Sequence, residues 1–327
     1  MSTVVTEAPP AGDRDGDRAG DRAGAAGRGS GVRVIETVAA YSAALDEVRR
    51  TGRTVGVVPT MGALHAGHRA LIERAARECD VVAVSIFVNP TQFGDAGDLA
   101  LYPRTLEADL TVVEGAGGHL VFAPSVDEMY PSGPQGDEGT VAVPALAARW
   151  EGASRPGHFE GVATVVVKLL SAAGRCRAYF GEKDFQQLAL VRRVVRDRGL
   201  PTDVVGCTTV RDPDGLALSS RNARLSPAQR RSALALSRAL ASGAALIARG
   251  EDRVGAVEAE MARVLATEPE VEPYYAVVVD ADDLEPVPTC DSPRALRLLV
   301  AATVGPVRLI DNLDPRTTWA PTGRPDV

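Results

Sequence analysis

The chain has 327 residues, 45% of them apolar, which is enough to fill a sizeable core and allows two domains. Its formal net charge of −7 argues against a broad nucleic-acid footprint, which needs a basic face, but permits a small anionic substrate in a locally basic site. No apolar run reaches the length of a membrane span and nothing resembles a signal peptide. Four well-separated cysteines (Cys79, Cys176, Cys207, Cys290) read as buried free thiols, so a cytoplasmic protein is expected.

Residues 1–31, in which Gly-Asp-Arg recurs from Gly12 to Arg22, bury too little apolar surface to offset their chain entropy and are expected to be a disordered tail. Folded sequence starts near Val32. Val38, Tyr41, Leu45 and Val48 share one face of a helix predicted over 37–50. A short buried strand at 54–58, a helix from Gly67 to Cys79 and a buried strand at 81–88 make a β-α-β unit with a right-handed crossover. Residues 101–115 read as a helix, 119–123 as a strand, and 130–139 as a Pro/Gly-rich loop. The apolar run 161–173 is read as a helix from the spacing of Val162, Val165, Val166, Leu169 and Leu170, despite its β-branched residues. A strand at 178–180, a helix at 183–196 and a strand at 203–210 follow. The alternation predicts a Rossmann-like α/β domain over 32–206 with a parallel sheet.

Character changes after Leu225. Ser226 as cap and Pro227 at the first position open a long Ala-rich helix to about Arg249. A helix over 254–267 and strands at 274–280, 297–302 and 308–310 predict a smaller α+β carboxy-terminal domain over 207–313. That domain has an antiparallel sheet and is expected to close over the site; a loose tail at 314–327 follows.

The chemistry centres on Val57-Val58-Pro59-Thr60-Met61-Gly62-Ala63-Leu64-His65-Ala66-Gly67-His68, where a buried strand turns through Pro59 and Gly62 into a helix. A helix N-terminus presents unpaired N–H groups and a partial positive charge that suit a phosphate. Two imidazoles beside it can donate hydrogen bonds to a phosphoryl oxygen as charge develops. A zinc pair is the alternative, but no Cys or carboxylate follows nearby to complete the set.

Four further clusters lie at or after predicted strand ends, where open α/β sheets place ligands. Phe87-Val88-Asn89-Pro90-Thr91-Gln92-Phe93 carries Gln92, an amide that donates and accepts at once. Arg155-Pro156-Gly157-His158-Phe159-Glu160-Gly161 is a Gly/Pro loop bearing Arg and His. Gly181-Glu182-Lys183-Asp184-Phe185-Gln186-Gln187 sets Lys183 at another helix N-terminus, with Asp184 suited to a ribose hydroxyl or Mg²⁺. The stretch from Val210 to Asn222 turns at Asp214-Gly215 and leads to Ser219, Ser220 and Arg221, a set that can clamp a triphosphate tail. Each alone is ordinary loop chemistry; together they gather His, Lys, Ser and Arg beside two Gln.

With P-T-M-G-A-L-H-x-G-H, F-V-N-P-x-Q-F, Y-P-R-T, R-P-x-H-F-x-G-V, F-G-E-K-D-x-Q-Q and S-S-R-N in this order, the chain resembles the pantoate–β-alanine ligase family of HIGH-type nucleotidyltransferases from about Val32 to Leu313. The resemblance implies ATP-dependent joining of (R)-pantoate to β-alanine with Mg²⁺, through a pantoyl adenylate, in a cytoplasmic homodimer. It assigns ATP to Met61, Gly62, Ala63, Leu64, His65, Ala66, Gly67 and His68, with His65 and His68 on the phosphates and His68 as proton donor. It likewise assigns ATP to Gly181, Glu182, Lys183, Asp184, the Val210 backbone, Leu218, Ser219, Ser220 and Arg221. Gln92 would contact pantoate and then β-alanine, and Gln187 pantoate. Asp109 matches an acidic stretch near the metal, interrupted here by Ala108, and Leu218 stands where relatives often carry Met. The rival within enzymes is a HIGH-type transferase that stops at the nucleotide conjugate. An aminoacyl-tRNA synthetase is disfavoured by short length, acidity and the lack of an obvious RNA-binding domain.

Overall fold

The structure, a computed structural model, describes residues 31–317 except 95, 135 and 137–139. The tail expected over 1–31 lies outside the described residues but for Gly31, as do the far end of the tail expected over 314–327 and part of the loop expected over 130–139.

The chain opens with β1 (Arg33–Ile35), α1 (Val38–Arg50), β2 (Val55–Thr60), α2 (Ala66–Glu78) and β3 (Val81–Ile86). Next come α3 (Ala96–Leu101), α4 (Leu106–Gly115) and β4 (Leu120–Phe122). Three single-turn helices follow, α5 (Val126–Met129), α6 (Pro144–Ala147) and α7 (Glu151–Ser154). The first unit ends with α8 (His158–Ala173), β5 (Cys176–Gly181), α9 (Phe185–Arg198) and β6 (Thr202–Cys207).

These six strands form one parallel sheet in the order β1-β4-β3-β2-β5-β6. Alternate residues of a strand face opposite layers. Val57, Val81 and Ala83 therefore pack with α1, α8 and α9, while Val58, Val82 and Val84 pack with α2 and α4. Both faces are covered, which is why β2 and β3 read as unbroken apolar runs. Chain order reverses between β2 and β5. They are bridged at Gly56↔Arg177 and Val57↔Ala178, although the strands run on to Thr60 and Gly181. Their carboxyl ends part there and open a crevice at the switch point of the sheet.

The second unit comprises α10 (Pro227–Ala248), α11 (Val254–Leu265), β7 (Val271–Asp280), β8 (Leu296–Val304) and β9 (Val307–Leu313). Ser226 and Gln229 form a reciprocal capping box at the start of α10. The strands form an antiparallel sheet in the order β7-β8-β9, and α10 and α11 bury Leu236, Leu240, Val257 and Met261 against it.

Val279, Leu284 and Leu299 of this unit pack into the core of the first, and polar ties join the two around α7 and beyond β5. Around α7, Glu151 receives Arg308 at 2.6 Å and the Tyr275 hydroxyl at 3.1 Å, Trp150 Nε1 donates to the Leu284 carbonyl at 3.1 Å, and Arg149 pairs with Glu285. Beyond β5, Asn312 and Arg297 hold residues 182 and 183.

Some expectations need correcting. The helix expected over 101–115 is broken, because Pro103 lacks an N–H and drives its predecessor toward extended backbone; α3 stops at Leu101 and α4 starts at Leu106. The strand expected to reach residue 88 stops at Ile86, ahead of a 3₁₀ turn at Pro90–Gln92. The helix expected at 183 begins at Phe185, after a 3₁₀ turn over Glu182–Asp184. The helix expected at 161 begins at His158, where Gly157 takes φ +79°. β6 ends at Cys207, so Val210 lies beyond it. Among the described residues no helix is long and apolar enough to cross a membrane.

Candidate active site

The segments that carry the implied site residues all follow strands of the parallel sheet: Met61 to His68 after β2, Gln92 after β3, Gly181 to Gln187 at and after the end of β5, and Val210 to Arg221 after β6. The turn from β2 into α2 is tight. Gly62 and Ala63 both have positive φ, +82° and +50°. For alanine this costs on the order of 1–2 kcal/mol.

The turn is held by Asp109, on the first turn of α4 and only 2% exposed. Its carboxylate accepts from the Leu64 N–H at 2.7 Å, the Ala63 N–H at 3.0 Å and the Thr105 hydroxyl at 3.2 Å. Asp109, expected beside the metal, thus has both oxygens facing donors of the turn. Among the described residues no group of three His, Cys, Asp or Glu is placed to hold a metal ion.

His65 is the N-cap of α2 and His68 its third residue. His65 Nδ1 accepts from the Gly67 N–H at 3.1 Å, and His68 Nδ1 accepts from the His65 N–H at 3.4 Å. Each ring thus spends Nδ1 as an acceptor, which puts the proton of the neutral form on Nε2. The ring centroids are 4.1 Å apart. Burial, with His65 alongside, pushes His68 down to about 4; burial and the charge of Lys183 lower His65. At neutral pH the pair is two uncharged Nε2–H donors. An uncharged Nε2–H of this kind can donate a hydrogen bond to a phosphoryl oxygen.

Across the crevice, Asn89, 1% exposed, shapes the Gln92 turn. It donates to the Gly161 carbonyl at 3.1 Å and to Gln92 Oε1 at 3.3 Å, and accepts from the Tyr130 hydroxyl at 2.8 Å. The Gln92 amide in turn donates to the Met61 thioether, which joins the substrate turn to the nucleotide turn. His158 supports the same turn. A guanidinium only donates, so His158 Nε2 accepts from Arg155 at 3.1 Å and Nδ1–H donates to the Gln92 carbonyl at 2.8 Å. Burial and Arg155 push this imidazole down to about 4. Asn89, Arg155 and His158 were given no role from sequence, although the motifs that contain them were visible.

Gln186 and Gln187 divide as an α-helix requires. Gln186 is buried and ties α9 to the segment before α7, donating to the Leu146 and Arg149 carbonyls and accepting from the Glu151 N–H. Among the described residues Gln187 has no side-chain partner, so its amide is available. Lys183 and Asp184 pair at 3.3 Å. Burial raises Asp184, but Lys183, Arg221 and His158 together hold it below the ordinary range.

The fourth segment folds back on itself, with the Leu218 N–H donating to the Val210 carbonyl at 2.9 Å. Ser219 caps a 3₁₀ turn over Ser220–Arg224 and accepts from the Arg221 N–H at 3.3 Å. Lys183 and Ser219 line one small cavity of about 10 Å³. The charges of Lys183, Asp184, Arg221 and the three imidazoles of His65, His68 and His158 thus act on one another.

A parallel sheet with helices on both faces, and a polar cluster at its switch point, defines a Rossmann-like α/β protein with a smaller antiparallel unit. Comparison with known proteins sharpens this. The chain belongs to the pantoate-beta-alanine ligase family, whose model matches residues 33–314. It is 51% identical over 269 residues to the pantothenate synthetase of Rhizorhabdus wittichii, covering 82% of this chain and 93% of that one. The crystal structure of pantothenate synthetase from Thermus thermophilus superposes with a TM-score of 0.79 at 47% identity, over 87% of this chain and 99% of that one. The pantoate-beta-alanine ligase of Francisella tularensis, solved with beta-gamma ATP and beta-alanine, matches with a TM-score of 0.67 at 32% identity, over 88% and 98% of the two chains.

Proposed function

We propose that the chain joins (R)-pantoate to β-alanine using ATP. The observation that supports this is that the neutral Nε2–H donors of His65 and His68 lie within the field of Lys183 and Asp184, and that Arg221 acts on the same Asp184, beside the point where β2 and β5 part. A pantoate carboxylate oxygen attacks the α-phosphorus, and the bond from that phosphorus to the bridging oxygen breaks. Lys183, Arg221 and the α2 N-terminus offset the charge of the departing pyrophosphate. The β-alanine amine then attacks the acyl carbon, the acyl–oxygen bond breaks, AMP leaves, and the amine proton passes to solvent. Gln92 and Gln187 hold pantoate in line, which supplies the orientation term.

The remaining assignments belong to the same reading: nucleotide over Met61 to His68, Gly181 to Asp184, Val210 and Leu218 to Arg221, in a domain over 32–206 that the unit over 207–313 closes. Mg²⁺ enters as the counterion of ATP, part of the substrate. Four free buried thiols support a reducing, cytoplasmic setting, and the family resemblance supports a homodimer.

Positional isotope exchange in ATP tests the adenylate. Scrambling that depends on pantoate and proceeds without β-alanine is expected; full turnover with no scrambling rejects this order.

Gly161 offers a second test. A Cβ there would lie 2.3 Å from the Thr91 carbonyl oxygen and 2.8 Å from the Gln92 N, both backbone. Gly161→Ala must push the Gln92 turn away from α8. A rise of roughly tenfold or more in KM for pantoate is expected, since displacements near 1 Å cost up to about a hundredfold. Steady-state kinetics would read it, and an unchanged KM would free Gln92 of its role.

A further inference from the structure

Two adjacent buried residues of β9 reach opposite ways, as neighbours on a strand do. Asn312, 3% exposed, donates through Nδ2 to the carbonyls of Glu182 and Lys183, at 2.9 Å each. Its Oδ1 accepts from Arg297 Nε at 2.8 Å, which fixes which end of the amide faces the turn. Arg297 also donates to Glu182 Oε2 at 3.0 Å and lies 4.1 Å over the Phe185 ring.

On the other side Asp311, 4% exposed, accepts two hydrogen bonds from Arg211, at 2.6 and 2.9 Å. Arg211 pairs with Ala217 along the backbone and donates to the Gly215 carbonyl at 3.2 Å, holding the hairpin that ends in Ser219, Ser220 and Arg221. The two cation-bearing segments of the crevice are thus both tied to one strand. Asp311 lines the cavity that Lys183 and Ser219 share.

We propose that Asn312 is a positioning residue for the reaction. It touches no substrate. It fixes the Glu182–Asp184 turn to β9, and with Asp311 it holds the segments of Lys183 and Arg221 to one strand. The inference rests on the reading of Lys183 as a phosphate contact.

Asn312→Asp sets a carboxylate against two carbonyl oxygens, and Asn312→Ala removes the donors without adding charge. Thermal melts first confirm folding; if neither variant folds, Arg297→Lys, which frees the amide to turn, takes their place. In folded variants KM for ATP is expected to rise and pantoate-dependent isotope exchange to fall, each by roughly ten- to a hundredfold. KM for β-alanine should stay within about twofold, because the Gln92 turn has its own supports in Asn89 and His158. Val304→Ala, a core truncation in the same sheet, should lower the melting temperature and leave KM for ATP unchanged. A folded variant with parental ATP kinetics overturns the proposal, as does a Val304→Ala enzyme with the same defect. Lys183→Ala separates the two levels. If it too leaves ATP kinetics intact, the phosphate reading has failed; if it alone is impaired, the positioning role has.

Discussion

Adenylate formation in a His68→Ala variant is expected to run about 10²–10³-fold slower than in the parent, with a much smaller loss of ATP affinity. His68 donates from an uncharged Nε2–H, so it contributes little to a phosphate at rest and most when charge builds on the phosphoryl oxygens. Rapid quench of pantoate-dependent AMP formation without β-alanine, beside an ATP titration, measures both quantities. An unchanged quench rate would remove His68 from the chemistry. His68 also accepts the His65 N–H, so Ala loosens the cap of α2 as well. Asn, whose side-chain oxygen can take that bond, should recover the stability and not the rate.

The pH dependence has a fixed sign. His68 and His158 titrate near 4 in the folded protein and near 6.5 when unfolded. Between those values the unfolded chain binds more protons, so stability rises with pH through this window. The contribution is fully present above 6.5 and disappears as pH falls toward 4.

Asp109→Ala should act on a larger scale than its distance from the chemistry suggests. It strands the Ala63 and Leu64 N–H groups in a half-buried turn, at about 1–3 kcal/mol each, partly offset as Ala63 leaves its positive φ. A net loss of about 3 kcal/mol in urea unfolding is expected. If the carboxylate acts by shaping the turn, ATP affinity weakens by the same factor in EDTA and in Mg²⁺. Intact metal-free affinity with a raised Mg²⁺ requirement would return Asp109 to the metal.

Much of this was legible from the chain because local chemistry and tertiary role agree. Ser226-Pro227 announces α10, and the unbroken valines of β2 and β3 announce strands buried on both faces. The turn bearing His65 and His68 could be read as a strand-to-helix junction. What stayed hidden depends on contacts across long sequence separations. Nothing near Asp109 shows that its oxygens will meet Ala63 and Leu64, and nothing near Asn312 shows the carbonyls of Glu182 and Lys183. β1 is three residues long, too short for any period to emerge, and takes its identity from pairing with β4. The break at Pro103 was written in the sequence and was overridden by the apolar residues on either side of it.

The seam between the two units is more than its polar ties at Glu151 and at residues 182 and 183, because Val279, Leu284 and Leu299 of the three-stranded unit lie in the same buried cluster as α8 and α9. A seam that shares a core with one of the units it joins melts with that unit, so heat is expected to unfold the two in a single transition rather than one after the other.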